Sequence, residues 1–185
     1  MSDASENKKN ILIHMTGSIA CYKAAALASM LVKSGYGVQV TATESALKFI
    51  GEATFEGLTR RPVITDTFGG KPDFIPHISL AQDWADLLLV YPASANCIAR
   101  MAAGFADDIF GAIFLANNFK KPVWLAPAMN TQMFLHPATQ RNMKILEEWG
   151  VKIFSPVEGV LACGTVGTGR LAEPEDMFFR IKEEL

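Results

Sequence analysis

Two short apolar runs constrain this chain most. Leu87-Leu88-Leu89-Val90-Tyr91 leads into Pro92-Ala93-Ser94-Ala95-Asn96, and Val123-Trp124-Leu125-Ala126 leads into Pro127-Ala128-Met129-Asn130. Neither run alternates apolar with polar residues, so each reads as a buried strand of a parallel α/β sheet covered by helices. Proline stops each run, and small residues and an amide follow the stop. In such sheets ligands bind just beyond the carboxyl ends of the strands. Two ends of this kind predict a flat ligand lying close to backbone, held by amides and hydroxyls.

The flanking sequence extends the same pattern. Residues 10–15 form a short apolar run, Thr16-Gly17-Ser18 turns, and a helix follows with Ala20, Ala24, Leu27, Ala28 and Leu31 on one face. Gly35 and Gly37 stop that helix, and 38–42 is a second strand followed by Thr43-Glu44-Ser45 and a short helix through Ile50. Strand, helix and strand with short links make a βαβ unit and hence a parallel sheet. Residues 51–83 read as irregular, with a glycine turn at Gly69 and Gly70. Helices are predicted at 94–103, 107–117, 137–149 and 175–185, and a further strand at 151–154. Residues 155–174 are glycine-rich and read as a long loop without regular structure. Such loops are uncommon in compact domains and often functional, which suggests a lid. The expected fold is a three-layer α/β sandwich with a parallel sheet, flavodoxin-like or Rossmann-like. Residues 1–9 are expected to be a disordered tail, and 10–185 a single domain that includes the lid.

Composition narrows the function classes. The 185 residues are 50% hydrophobic and 19% charged, with a net charge of −2, which suits one globular domain with a sizeable core. No basic patch points to nucleic acid. The apolar stretch 11–32 is broken by His14, Gly17, Tyr22 and Lys23, so it is not a membrane span. The polar start of the chain has no apolar signal core. Three cysteines at irregular spacing make neither a disulfide framework nor a zinc site, so a reducing, cytoplasmic setting and no metal are expected.

Several residues carry candidate chemistry. Thr16-Gly17-Ser18-Ile19-Ala20 follows a strand and opens a helix, an arrangement that suits a phosphate, although Ser18 alone would serve equally as a helix cap. The turn Thr43-Glu44-Ser45 brings more hydroxyls to the same sheet edge. Among the histidines, His14 belongs in the core and His136 at the surface, while His77 is either a general base or a hydrogen-bonded structural residue. Cys21 reads as packing. Cys97 stands in the first turn of a helix, where the dipole could lower its pKa, or is simply small and buried. Cys163 lies in the glycine-rich stretch with Arg170 and Glu173 near it, where a reactive or proton-donating thiol and a pairing partner for an anionic substrate fit. Asn130 is the strongest single candidate: its amide can donate to a carboxylate without changing protonation, or it caps the next helix.

His77, Pro92-Ala93-Ser94-Ala95-Asn96 and Pro127-Ala128-Met129-Asn130-Thr131-Gln132-Met133 together resemble the homo-oligomeric flavin-containing cysteine decarboxylases, over essentially the whole folded chain. Leu161-Ala162-Cys163-Gly164, followed by Gly167, Gly169 and Glu173-Pro174, looks like the substrate lid of the stand-alone phosphopantothenoylcysteine decarboxylases within that family. The resemblance implies FMN as cofactor. Gly17, Ser18, Ala20, Thr43 and Ser45 would hold its phosphate and ribityl chain, and Ser94, Asn96, Cys97 and Ala128 would line the flavin. His77 would be the active-site base, Asn130 would bind the substrate carboxylate, Val160, Leu161 and Ala162 would contact substrate, and Cys163 would protonate the intermediate. Cys97 stands where the family usually has threonine, and Phe134 where it often has Trp or Tyr. The family also implies a trimer or an assembly of trimers, with FMN near the subunit contact.

The implied reaction is decarboxylation of 4′-phosphopantothenoylcysteine to 4′-phosphopantetheine, in coenzyme A biosynthesis, through thioaldehyde and enethiol intermediates. A cysteine carboxylate cannot simply lose CO₂, because the carbanion left behind has nowhere to place its charge, and no side chain accepts a hydride. Two alternatives stand beside it: an oxidative decarboxylase of a peptide C-terminal cysteine, of the lantibiotic type, and a non-catalytic FMN-binding protein.

Overall fold

The computed structural model describes residues 9–68, 75–162, 164 and 166–185. The expected tail (apart from Lys9), the Gly69-Gly70 turn and Cys163 lie outside the described residues. Five strands, β1 (Asn10–Met15), β2 (Gly37–Ala42), β3 (Leu87–Ala93), β4 (Val123–Pro127) and β5 (Lys152–Ile153), form one sheet in the order β2-β1-β3-β4-β5. Every pairing within it is parallel. The chain runs outward from β1 to β2, then returns to add β3 on the other side of β1. The order therefore reverses between β1 and β3, and a crevice opens there at the carboxyl edge.

Strand alternation divides the core in two. Ile11, Ile13 and Met15 of β1, with Leu87, Leu89 and Tyr91 of β3, face a layer made by α1 (Cys21–Lys33), α2 (Glu44–Leu47), α3 (Glu52–Thr59) and, at the chain's end, a C-terminal helix (Pro174–Glu184). Leu12, Leu88 and Val90 face the opposite layer, made by α4 (Pro76–Ile78) with its π-helical continuation Ser79–Trp84, α5 (Ala95–Ala103), α6 (Ile109–Asn117) and, beyond a short α7 (Thr131–Leu135), α8 (Pro137–Glu148). The C-terminal helix, α9, starts at Pro174, whose fixed φ and missing N–H suit a first helical position. Leu88 and Leu89 are both fully buried on opposite faces, so the apolar run is the hinge of both cores.

The chain departs from the expected pattern in several places; residues 76–84 are helical inside the stretch read as irregular, and α7 was not expected. Residues 52–59 are helical where irregular structure was expected; α3 buries only Phe55, so it leaves almost no apolar period to read. Residues 155–174 are not structureless. They contain an antiparallel hairpin, β6 (Val157–Val160) with β7 (Val166–Arg170). The two glycines of β7 answer to crowding. A Cβ on Gly169 would lie 2.1 Å from the Met129 carbonyl oxygen, so only glycine lets β7 pass this close to the β4–α7 turn.

The carboxyl edge is stitched by main-chain bonds and one side chain. Thr16, buried just past β1, donates its hydroxyl to the Pro92 carbonyl (2.8 Å) and accepts from the Ser94 N–H (2.8 Å). Thr43 N–H donates to Met15 O (3.0 Å), Ala128 N–H to Ala93 O (3.0 Å), and Met129 N–H to Gly169 O (3.1 Å). The turns after β2, β1, β3 and β4, and then the hairpin, are thus joined in a row.

His14 lies in the core as expected. Its ring stacks on Phe110 at 4.4 Å, and Nδ1 is 2.9 Å from Thr41 Oγ1. Burial lowers its pKa from 6.5 to about 4, outweighing the opposing attraction of Asp108. The neutral ring is the folded form, so its contribution is fully present above the unfolded value of 6.5 and is lost as pH falls toward about 4. Denaturant titrations from pH 7 to pH 4 should show a loss on the order of 3 kcal/mol attributable to this group. A His14→Gln variant should show a flatter dependence; an unchanged slope would assign the acid sensitivity elsewhere.

Candidate functional site

A cavity of about 400 Å³ opens at the carboxyl edge of the sheet, between the start of α1, the β4–α7 turn and the hairpin. Ser18, Ala20, Ala128, Asn130, Val160, Leu161 and Ala162, all candidates from the sequence, line it. They come from three segments far apart in the chain and are assembled by the stitched edge described above.

Next to the cavity, joined to it through Ser18, is a polar cradle whose Gly17, Thr43 and Ser45 do not themselves line the cavity. Gly17 packs so closely on the β2–α2 turn that a Cβ would meet Ser45 Cβ at 2.8 Å. The Thr43 and Ser45 hydroxyls are 3.2 Å apart, and Thr43 caps α2 through Ala46 N–H. Ser18 is not the helix cap: Ala20 holds that position, and the Ser18 hydroxyl accepts from Ala20 N–H at 3.2 Å. No acidic residue stands in the first turn of α1, so nothing offsets the partial positive charge of the helix start. Hydroxyls, close backbone and an unopposed helix dipole are a donor set for a phosphate. Beyond Ser18 the wall is apolar, with small Ala20, Ala128 and Ala162 beside Met129 and Leu161, a lining that suits a flat ring, so the residues present fit FMN.

Asn130 borders this cavity and its Oδ1 accepts from Gln132 N–H at 2.8 Å, capping α7. The cap sets the plane of the amide at the cavity wall. Lys23 was not foreseen as a site residue. It lines the cavity yet is only 5% exposed, donating to Leu171 O (3.0 Å) and Glu173 Oε1 (2.8 Å). Arg170 shares the same carboxylate oxygen at 3.0 Å. Its expected pairing with an anion is thus already met in part by Glu173. The signal for Lys23 was its position among Ala20, Ala24 and Leu27 on the apolar face, where a charged group requires a buried partner.

Other candidates sit apart from the cavity. Ser94 caps α5 by accepting from Cys97 N–H (3.3 Å) and is tied to the edge through Thr16. Asn96 is exposed and borders a separate groove between α5 and α8. Cys97 is buried in the second core, and its thiol is pushed up to about 12 by burial and, secondarily, by Asp108. Of the two readings, burial favours the small buried residue over a dipole-activated thiol. Cys21 is packing, as expected, its thiol facing the Thr16 carbonyl at 3.3 Å. His136 is at the surface, where Nδ1 accepts from Ala138 N–H and caps α8. His77 lies on α4, which packs against α6 on the opposite layer, and it does not line the cavity. Its Nδ1 is buried without a partner among the described residues. No group of three or more His, Cys, Asp or Glu among the described residues is placed to hold a metal, and no helix among them is long and apolar enough to cross a membrane.

Comparison with known proteins agrees with this geometry. The family model described as "Flavoprotein" matches residues 1–185. A probable phosphopantothenoylcysteine decarboxylase of Streptococcus mutans is 44% identical over 178 residues, covering 96% of this chain and 99% of that protein. The coenzyme A biosynthesis bifunctional protein CoaBC of Bacillus subtilis is 49% identical over 172 residues, but the chain spans only 42% of its length. Among solved structures, a cysteine-to-serine mutant of PPC decarboxylase complexed with pantothenoylaminoethenethiol superposes with a TM-score of 0.87 at 30% identity, covering 96% of this chain and 98% of that one. The FMN binding protein AtHal3 gives 0.84 at 31% identity, covering 96% of each. With its parallel three-layer fold and these matches across its whole length, the chain belongs to the flavoprotein family that includes the phosphopantothenoylcysteine decarboxylases.

Proposed function

We propose that this protein catalyses the FMN-dependent decarboxylation of 4′-phosphopantothenoylcysteine to 4′-phosphopantetheine, a step of coenzyme A biosynthesis, in the cytoplasm. The observation that carries the reading is the convergence of Ser18, Ala128, Asn130 and Val160–Ala162 on one cavity beside the Gly17–Thr43–Ser45 cradle. Gly17, Ser18, Ala20, Thr43 and Ser45 would hold the FMN phosphate and ribityl chain, and Ala128, with Ser94 at the start of α5, would serve the flavin ring. When bound, FMN would supply the two-electron chemistry that no side chain can: removal of two electrons from the substrate's Cβ–S unit, which lets CO₂ leave, and return of the same two electrons to the unsaturated thiol.

The chain's own residues then have separable tasks. Asn130, its amide plane set by the α7 cap, binds the substrate carboxylate. Val160, Leu161 and Ala162 cover the substrate and exclude water. Lys23 and Arg170, joined through Glu173, hold the base of the hairpin against α1. Cys163 supplies the proton when the unsaturated thiol is reduced; the ethenethiol bound by the cysteine-to-serine mutant of the similar decarboxylase supports a cysteine in that role. His77 is the base that takes the substrate proton. Its place on the other layer is consistent with a homo-oligomer, a trimer or assembly of trimers, in which a neighbouring copy brings His77 to the cavity. Exposed Ile75 beside His77, and exposed Ile19 and Tyr22 beside the cavity, are the apolar surface such a contact would cover.

The purified protein should be yellow with FMN, bleach on anaerobic addition of 4′-phosphopantothenoylcysteine, and release CO₂ and 4′-phosphopantetheine. A protein that takes up no FMN, or one that acts only on peptides ending in cysteine, would overturn the reading. Cys163→Ser should release CO₂ at a rate within about tenfold of wild type but accumulate the unsaturated thiol; normal yields of 4′-phosphopantetheine would remove Cys163 from the reduction. His77→Asn and Asn130→Ala should each be inactive alone, by at least about a hundredfold. Unfolded together and refolded as mixed oligomers, they should recover a fraction of wild-type activity, because some sites then combine both native residues. No recovery from verified mixed oligomers would place both residues in one copy's site.

A further inference from the structure

The hairpin rests on the β4–α7 turn at two glycines. At Gly169 the contact is backbone on backbone, with Met129 N–H donating to Gly169 O at 3.1 Å. At Gly167 a Cβ would lie 2.5 Å from Thr131 Oγ1 and 3.4 Å from both Thr131 carbons, so the strand passes directly over this hydroxyl. Thr131 is the first residue of α7 and follows Asn130 in the wall of the cavity. Its Oγ1 is buried and has no hydrogen-bond partner among the described residues. Buried hydroxyls are nearly always satisfied, and an orphaned one opposes the packing that buries it. With β7 raised, the same oxygen would meet water.

We propose that Thr131 is a positioning residue that keeps the β6–β7 hairpin from seating tightly until the cavity is filled. Seating strips water from the Thr131 hydroxyl and returns no bond, so the seated position is disfavoured in the empty protein. A ligand touching Val160, Leu161 and Ala162 offsets that loss, and the same opposition assists release of product. The kinetic part rests on the cavity being the substrate site proposed above; the effect on hairpin seating does not.

Thr131→Val keeps the shape and removes only the hydroxyl. In the substrate-free protein, hydrogen exchange at the amides of Val157–Val160 and Val166–Arg170 should slow about tenfold, which corresponds to about 1.4 kcal/mol. Thr131→Ser, which retains the hydroxyl, should exchange like wild type. In turnover, Thr131→Val should lower KM and kcat together without lowering kcat/KM, whereas a merely structural role would lower kcat/KM. Gly167→Ala should do the reverse, driving its methyl into Oγ1, loosening the hairpin and raising KM; adding Thr131→Ala should restore both readouts, because the obstructing oxygen is gone. Hairpin exchange in Thr131→Val that is equal to or faster than wild type, or failure of Thr131→Ala to rescue Gly167→Ala, would overturn the proposal. The exchange measurements need no turnover, so they stand even if the substrate is a different cysteine compound.

Discussion

One hydroxyl holds the carboxyl edge of this sheet together. Thr16 Oγ1 donates to Pro92 O and accepts from Ser94 N–H, and the residue's own N–H also donates to Pro92 O at 3.2 Å. A hydroxyl can both give and receive strongly on a single atom in so small a space. It joins the two central strands where the sheet order reverses, which is where an open α/β sheet forms its crevice. From that point the edge is built outward. Ala93 O anchors Ala128, Met129 anchors Gly169, and Met15 O anchors Thr43. The cradle, the amide of Asn130 and the hairpin share one level because each hangs on the next.

The fold was legible wherever burial was extensive. The runs in β3 and β4 are apolar without interruption because both faces are covered, and α1 shows its period because six of its residues are buried. Legibility failed where an element buries little. Helix α3 buries one residue and α7 none, so neither leaves a pattern. The hairpin was hidden for a different reason. Glycines at 167 and 169 suggest a flexible loop by composition, but they are there because Thr131 and the Met129 carbonyl leave no space for a side chain. Flexibility and close approach select the same residue, and sequence alone cannot separate them.

The candidate site divides along the same line. Ser18, Ala128 and Asn130 were readable because each sits just past a strand whose end is itself readable. Lys23 was not, because its partners lie about 150 positions away and belong to a segment read as unstructured. Cys97 shows two effects competing. A helix start favours a thiolate by roughly 1 kcal/mol, up to about 2 in favourable geometry. Burial moves this thiol from 9.0 to about 12, a cost of about 4 kcal/mol in the opposite sense. Position along a helix was visible in the sequence; the depth of the surrounding core was not, and depth decided the outcome.

His77 exposes a limit of reading one chain as one site. The proposed role puts it at the active centre, yet α4 packs on α6, across the sheet from the α1 layer that walls the cavity. Its Nδ1 is shut away from water without a partner among the described residues, which is costly for a residue with only a structural role. Neighbouring Ile75 and Ile78 are exposed, as are Ile19 and Tyr22 at the cavity mouth, so both regions present apolar area that a lone copy leaves in water. A single contact between copies would cover both areas and bring the histidine to the cavity of its neighbour. On that arrangement the edge stitched by Thr16 supplies the binding half of the site, and association supplies the base.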